Sequence, residues 1–205
     1  MGVKDYFPRG TIFLTVVDPK VGTSRKILLI SADGKYYIGP DNGVFAPVYQ
    51  YADSYSVYEV NAEHLYLKSE AHTFEARDKM APVAAWLSKG IPVERLGTRI
   101  DNYQKFRMPA PKQEGKVLKG MVIYIDRFGN LATNIRLDEI KGEISYGVIK
   151  GIRISKFVKA FGEVKVGELV LLRNSLGFVE IAANMRSAAA LLKAKVTEPV
   201  ELYLK

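Results

Sequence analysis

The chain has 205 residues, with 30 Lys and Arg against 22 Asp and Glu and a formal net charge of +8. That length holds one large or two small domains with real cores, and 48% apolar with 25% charged residues is ordinary for a globular protein. With no cysteine there is neither a disulfide framework nor thiolate chemistry, and no apolar run approaches the roughly 18 residues of a membrane helix.

The start MGVKDYFPRG carries no apolar core of a signal peptide, so the expectation is a cytoplasmic protein. TIFLTVVD, residues 11–18, is nearly continuously apolar and reads as a strand covered on both faces. KILLIS and KYYIG flank Asp33-Gly34 and predict a hairpin. YSVYEV predicts a short strand, and DKMAPVAAWLSKG a helix with Pro82 in its first turn and Gly90 as its stop. Trp86 on that helix is read as a packing residue. FRMPAPKQEGK, from Phe106 to Lys116, has the prolines and polar character of a connector. Beyond it, GMVIYID, LATNIR, GEISYGVI, GIRISKFV, GELVLLRN and GFVEIAAN follow at short intervals. That spacing suggests a small barrel or sandwich, and a helix SAAALLKAK precedes a last strand, PVELYLK. The reading is an α/β domain over residues 1–107, a linker over 108–116 and an all-β domain over 117–205.

Several positions carry groups suited to chemistry. In VVDPKVGTSR, Asp18 closes a strand and Arg25 follows seven residues later. Strand ends are where open α/β sheets bind ligands, while a surface turn with a loose ion pair would leave the same pattern. GPDNG places Asp41 and Asn42 at another strand end. In IDRFGNLATNI, Asp126 precedes Phe128 and Asn130. An aromatic face beside an amide suits a purine, and a turn around a buried Phe is the alternative. NSLG, from Asn174 to Gly177, predicts a tight turn with backbone amides free for a ligand. His64 and His72 lack a carboxylate at ligand spacing, so no metal is expected. The basic residues are scattered, and between Lys150 and Lys159 they alternate with apolar ones as on solvent faces of strands. Neither nucleic acid nor a membrane is therefore expected as a partner.

Taken together, VVDPKVGTSR, GPDNG, HTFEARDKMAPVAAWLSKG, IDRFGNLATNI and NSLGFVEIAAN, in this order from about Tyr6 to the C-terminus, resemble the S-adenosylmethionine (SAM) hydroxide adenosyltransferase family. That family includes the adenosyl fluorinases and chlorinases. The resemblance implies a Rossmann-like α/β N-terminal domain followed by a C-terminal β-barrel. It implies a homotrimer with SAM bound between subunits, as substrate and with no separate cofactor. The implied reaction is displacement of methionine from the ribose 5′ carbon by water or hydroxide, giving adenosine. Asp18 and Arg25 match the acid and arginine that position the water, and an acid at position 18 points to water over halide. Asp126 and Ser175 match residues holding the methionine end; Phe128 and Asn130 match the adenine pocket.

Two departures qualify this. The family's Thr-Phe-His-Gly-Arg-Asp segment stands here as Thr73 to Asp78, so Glu75 occupies the place of the histidine in the hydrolases' catalytic set. Two neighbouring carboxylates, Asp18 and Glu75, are expected to repel and raise one another's pKa. The chain also starts where relatives are about to enter their second or third strand, without the Thr-Asp-Phe-Gly-like strand end whose acid binds the ribose hydroxyls. The alternative expectation is therefore a family member that binds adenosine-type ligands without turnover.

Overall fold

The computed structural model describes residues 3–70 and 73–205. His72 lies outside the described residues. Two compact units divide the chain, Val3–Met108 and Pro109–Lys205.

The first unit is built on a five-stranded mixed sheet. Its strands are β1 (Ile12–Leu14), β2 (Ile27–Ala32), β3 (Lys35–Pro40), β4 (Tyr55–Val60) and β5 (Gly97–Arg99), in the order β1-β3-β2-β4-β5. Only β1 beside β3 is parallel; the other pairs are antiparallel. The β2–β3 hairpin turns at Asp33 (φ 50°) and Gly34 (φ 75°), the left-handed pair that a two-residue turn demands. Period two along β2 divides the core. Ile27 and Leu29 join Ile38, Met80, Val83, Leu87 and Leu96 on one face. Leu28, Ile30 and Ala32 meet Phe45, Val48 and Val57 on the other. Helix α1 (Ala46–Tyr51) contributes to the second face, and α2 (Ala81–Ser88) with α3 (Val93–Leu96) covers the first.

The strand covered on both faces is thus β2 and not the 11–18 segment. That segment forms the short β1 at the edge of the described sheet, with Val17 68% exposed. Trp86, expected to pack, is 44% exposed, because α2 turns Val83 and Leu87 inward instead. Pro82 lies in the first turn of α2 and Gly90 follows the helix at φ 88°, as its sequence predicts. It is preceded by a π-helical turn, Ala76–Met80, which the sequence does not announce.

The second unit is β-rich. Its strands are β6 (Lys112–Glu114), β7 (Val117–Ile125), β8 (Leu131–Arg136), β9 (Ile144–Ile149), β10 (Ile152–Ile154), β11 (Phe157–Val158), β12 (Leu169–Arg173), β13 (Phe178–Ala183) and β14 (Pro199–Leu204). They form one nine-stranded sheet ordered β10-β9-β14-β7-β8-β13-β12-β11, with β6 on β7. Lys112–Glu114, expected within a linker, therefore pairs as a strand. A single core of Val122, Leu131, Ile149, Leu171, Ile181 and Leu202 draws on strands from across that order, so the sheet curls on itself. Helix α4 (Ala188–Leu192) is capped by Ser187, whose hydroxyl accepts from the Ala190 amide at 3.1 Å. No helix among the described residues is long and apolar enough to cross a membrane.

Leu29 is fully buried and Val17 is exposed, so the two truncations should separate cleanly. Leu29→Ala should cost about 2–5 kcal/mol in denaturant unfolding, and Val17→Ala less than about 0.5 kcal/mol. Equal losses would refute the placement of β2 at the centre and the 11–18 segment at the rim.

Candidate functional site

The segment that leads to Asp18 is held by hydrogen bonds at Thr15 and Val17. The Thr15 amide donates to the Ile38 carbonyl at 2.9 Å, extending β1 along β3 beyond its last paired residue. Gly39 makes this approach feasible, since a Cβ there would run into the Thr15 carbonyl oxygen and the Phe45 ring. The Asn42 side-chain amide donates to the Val17 carbonyl at 2.6 Å, while the Asn42 carbonyl oxygen accepts from the Val44 amide. From Asp18 the chain turns through Gly22 (φ 78°) and returns at Arg25, just before β2.

Arg25 then meets Asp18 side on. Its Nε donates to both carboxylate oxygens at 3.0 and 2.9 Å, and its Nη2 to Oδ2 at 2.5 Å. The same Nη2 donates to Oε2 of Glu75, at the head of the π-helical turn. Glu75 Oε1 accepts from Lys79 Nζ at 2.5 Å, one turn along, and the Gly22 amide points at Oε2 from 3.5 Å. The sequence 18–25–75–79 is therefore a continuous row of alternating charge: carboxylate, guanidinium, carboxylate, ammonium. Its first three side chains are 5%, 6% and 9% exposed.

At Glu75 this arrangement reverses the expected elevation. Burial by itself pushes the Glu75 carboxyl up, but the Lys79 hydrogen bond, the Arg25 charge and the Gly22 amide outweigh it and hold the group below its ordinary 4.5. Burial likewise pulls Arg25 down, and its hydrogen bond to Asp18 and the two anionic partners more than restore it. Arg25 is a permanent cation here and cannot serve as a base. Next to Asp18, Arg25 lines an open cleft of about 720 Å³ with Lys20, Asp41, Asn42, Tyr103 and Phe106, all in the first unit.

The second group of expected residues lies in the other unit. Asp126 ends β7 and organises the turn after it: its Oδ1 accepts from the Phe128 and Asn130 amides at 2.8 and 2.9 Å, and its Oδ2 from the Asn130 side-chain amide at 2.9 Å. Phe128 is 72% exposed, so it is not the buried ring of an ordinary turn. A shallow cavity of about 480 Å³ beside it is lined by Phe128, Asn130, Phe161, Asn184, Met185 and Arg186. Ser175 lies in the exposed turn between β12 and β13. The amides of that turn are not free as expected. Asn174 Oδ1 accepts from Leu176 and Phe178 at 3.0 Å, and the Gly177 amide donates to the Asn174 carbonyl.

Two residues of these sites escaped the sequence reading. Lys79 was legible as the i+4 partner of Glu75 on a helix. Glu180 was not, because its environment is made by neighbours distant in sequence. Burial pushes its carboxyl up, the Asn174 amide 3.5 Å away works against this, and the nearby Asp126 charge adds to the rise. Among the described residues no group of acids and histidines could hold a metal ion.

Removing Arg25 leaves two almost inaccessible carboxylates facing one another. Arg25→Ala should therefore cost about 3–5 kcal/mol of stability at neutral pH, and a loss below about 1 kcal/mol would refute a buried ion row. The Glu75 contribution has a defined sign. Because its folded-state pKa is lowered, the stabilisation is complete above the ordinary 4.5 and is lost as pH falls below it. The stability gap between the parent and Glu75→Gln, followed by urea unfolding, should shrink on acidification through that range. A gap that grows toward acid pH would contradict it.

Residues 1–97 match the family described as SAM hydroxide adenosyltransferase N-terminal domain, and residues 120–201 match its C-terminal domain. The chain is 35% identical over 206 residues to an (R)-S-adenosyl-L-methionine hydrolase of Thermus thermophilus, covering 96% of this chain and 77% of the relative. It is 34% identical to a second such hydrolase, from Methanocaldococcus jannaschii, over 96% and 73% of the two chains. A fluorinase of Actinoplanes is 28% identical over 87% and 72%. Among solved structures, an uncharacterized conserved protein from Thermotoga maritima superposes with a TM-score of 0.87 at 34% identity, covering 98% of this chain and 80% of that one. On the strength of both domains and of these relatives, the chain belongs to the SAM hydroxide adenosyltransferase family.

Proposed function

We propose that the chain hydrolyses S-adenosyl-L-methionine to adenosine and L-methionine, with Asp18 as the group that takes the proton of the attacking water. The observation that carries this is the Asp18–Arg25 pair beside the open cleft of the first unit. SAM brings its own leaving group, since departure of methionine turns a sulfonium into a neutral thioether. The protein's task is to align a water behind the 5′ carbon and to accept its proton.

Asp18 is built for that task asymmetrically. Oδ2 accepts from both Nε and Nη2 of Arg25, whereas Oδ1 accepts from Nε alone at 3.0 Å. A carboxylate oxygen has room for two donors, so Oδ1 retains a lone pair for water. In the reaction the water oxygen bonds to C5′, the C5′–S bond breaks with its electron pair going to sulfur, and the released proton passes to Asp18 and then to solvent. Arg25 fixes the plane of the carboxylate through its side-on hydrogen bonds. Water rather than halide follows from the same group, because a carboxylate repels an anion from the position it favours for a neutral proton donor.

The other assignments belong to the same reading. Asp126 and Ser175 hold the methionine end, and Phe128 with Asn130 receives the adenine. The exposure of Phe128 and the preorganised Asn130 amide support this. A closed barrel and a cytoplasmic homotrimer with SAM bound between subunits complete it. The common core of the curled sheet, where Leu171 of β12 reaches Gly147 of β9, and the exposed Met185 beside Phe128 are the features that favour barrel and assembly.

Incubation with SAM, followed by chromatography of the nucleoside, tests the proposal. Adenosine should form with the parent chain, and Asp18→Ala should lower its rate by at least about a hundredfold. If no adenosine forms while adenosine itself raises the Tm, the chain is a binding member without turnover.

A further inference from the structure

The row of charge does not end at the carboxylates. We propose that Lys79 is a positioning residue of the hydrolytic site, acting through Glu75 so that Arg25 is shared between two carboxylates without leaving either one unbalanced. This rests on the assignment of hydrolysis to the Asp18 site.

The geometry is specific. The two oxygens of Glu75 face opposite cations, Oε1 to Lys79 and Oε2 to Arg25. The π-helical turn that follows Glu75 sets the spacing, with the Ala81 amide reaching back to the Ala76 carbonyl. The Lys79 stem passes the Tyr66 ring, with Nζ 5.8 Å from its centre, while Nζ itself reaches the nearly inaccessible Glu75 from a side chain still 36% exposed. Tyr66 stands on that side among the described residues, with Glu63 and Glu59 beyond it. Burial, then Glu63, Glu75 and Glu59, keep its phenol neutral and uncharged toward Glu75. Toward the other side, Glu75 sees Arg25, and through it Asp18, together with the Gly22 amide.

The charges sum to zero only with Lys79 present: two carboxylates, one guanidinium, one ammonium. Without Lys79 the buried part carries an excess negative charge, which is relieved by drawing Arg25 toward Glu75 or by protonating a carboxylate. Either response disturbs Asp18, the first by loosening its side-on hold and the second by changing the charge that competes with it for Arg25. Lys79 touches neither Asp18 nor the cleft lining, so its effect on turnover is transmitted entirely through Glu75.

The experiment compares the parent with Lys79→Met, Lys79→Arg, Glu75→Gln and the double variant Lys79→Met with Glu75→Gln. It records kcat and KM for SAM from pH 4 to 9 and the carboxyl ¹³C titration of Glu75. Met keeps the stem on Tyr66 and removes the charge. The expected result for Lys79→Met is an acidic limb of kcat raised by about one pH unit and kcat near neutrality lowered about tenfold. KM should change less than about twofold, and Lys79→Arg should restore both kcat features. In the Glu75→Gln background the same Lys79→Met change should leave kcat and its acidic limb unmoved. An unshifted limb, or an equal effect in the Glu75→Gln background, overturns the proposal. If the parent itself yields no adenosine, the hydrolytic reading fails separately. The ¹³C midpoint of Glu75 then decides on Lys79: a rise of about one unit in Lys79→Met sustains its control of Glu75, and no rise refutes it.

Discussion

One guanidinium between two buried carboxylates is the interaction on which the site depends. Asp18 and Glu75 come from segments 57 residues apart in the chain numbering, and each is less than a tenth exposed. Two carboxylates held this close repel one another unless a cation stands between them. Arg25 supplies that cation with a planar fork that engages Asp18 along one edge and still reaches Glu75 with its outer nitrogen. A lysine at position 25 would offer a point charge without that geometry.

The fold serves this interaction by bringing three different kinds of backbone to one place. A rim strand leads to Asp18, held close by Gly39 and Asn42. The entry to β2 brings Arg25, and β2 is immobilised because apolar side chains cover both its faces. The π-helical turn ahead of α2 brings Glu75 and Lys79, and Met80 within it is fully buried and anchors it to the core. A rim strand, the entry to a covered central strand and a wound helix start thus converge on a single ion row. The second unit works by a different logic: Asp126 spends its acceptors on its own turn, so that Phe128 and Asn130 stand in a fixed presentation.

Family membership frames these observations without replacing them. The relatives include both SAM hydrolases and fluorinases, so the family relation alone does not select the nucleophile. The proposal that water attacks rests instead on the carboxylate at position 18, whose chemistry favours a proton donor over an anion. An ionised Glu75 on the far side of Arg25 needs a counter-ion of its own. Lys79 meets that need from the next helical turn.

Much of this was readable from the chain alone. Alternation and turn chemistry located the β2–β3 hairpin, β4, α2 and the strands of the second unit, because these depend on local backbone preference and on period. The five motifs carried the family, and the spacing of Asp18 and Arg25 already suggested a turn closed by an ion pair. What local pattern could not supply was which apolar strand lies inside. The 11–18 segment and β2 look alike as strings, and only pairing order places one at the rim and the other at the centre. Nor could it supply the sign of the Glu75 shift. Two acids predict repulsion until the fold inserts Arg25 between them and Lys79 behind, and electrostatic sign in a buried cluster depends on distances that sequence separation does not contain.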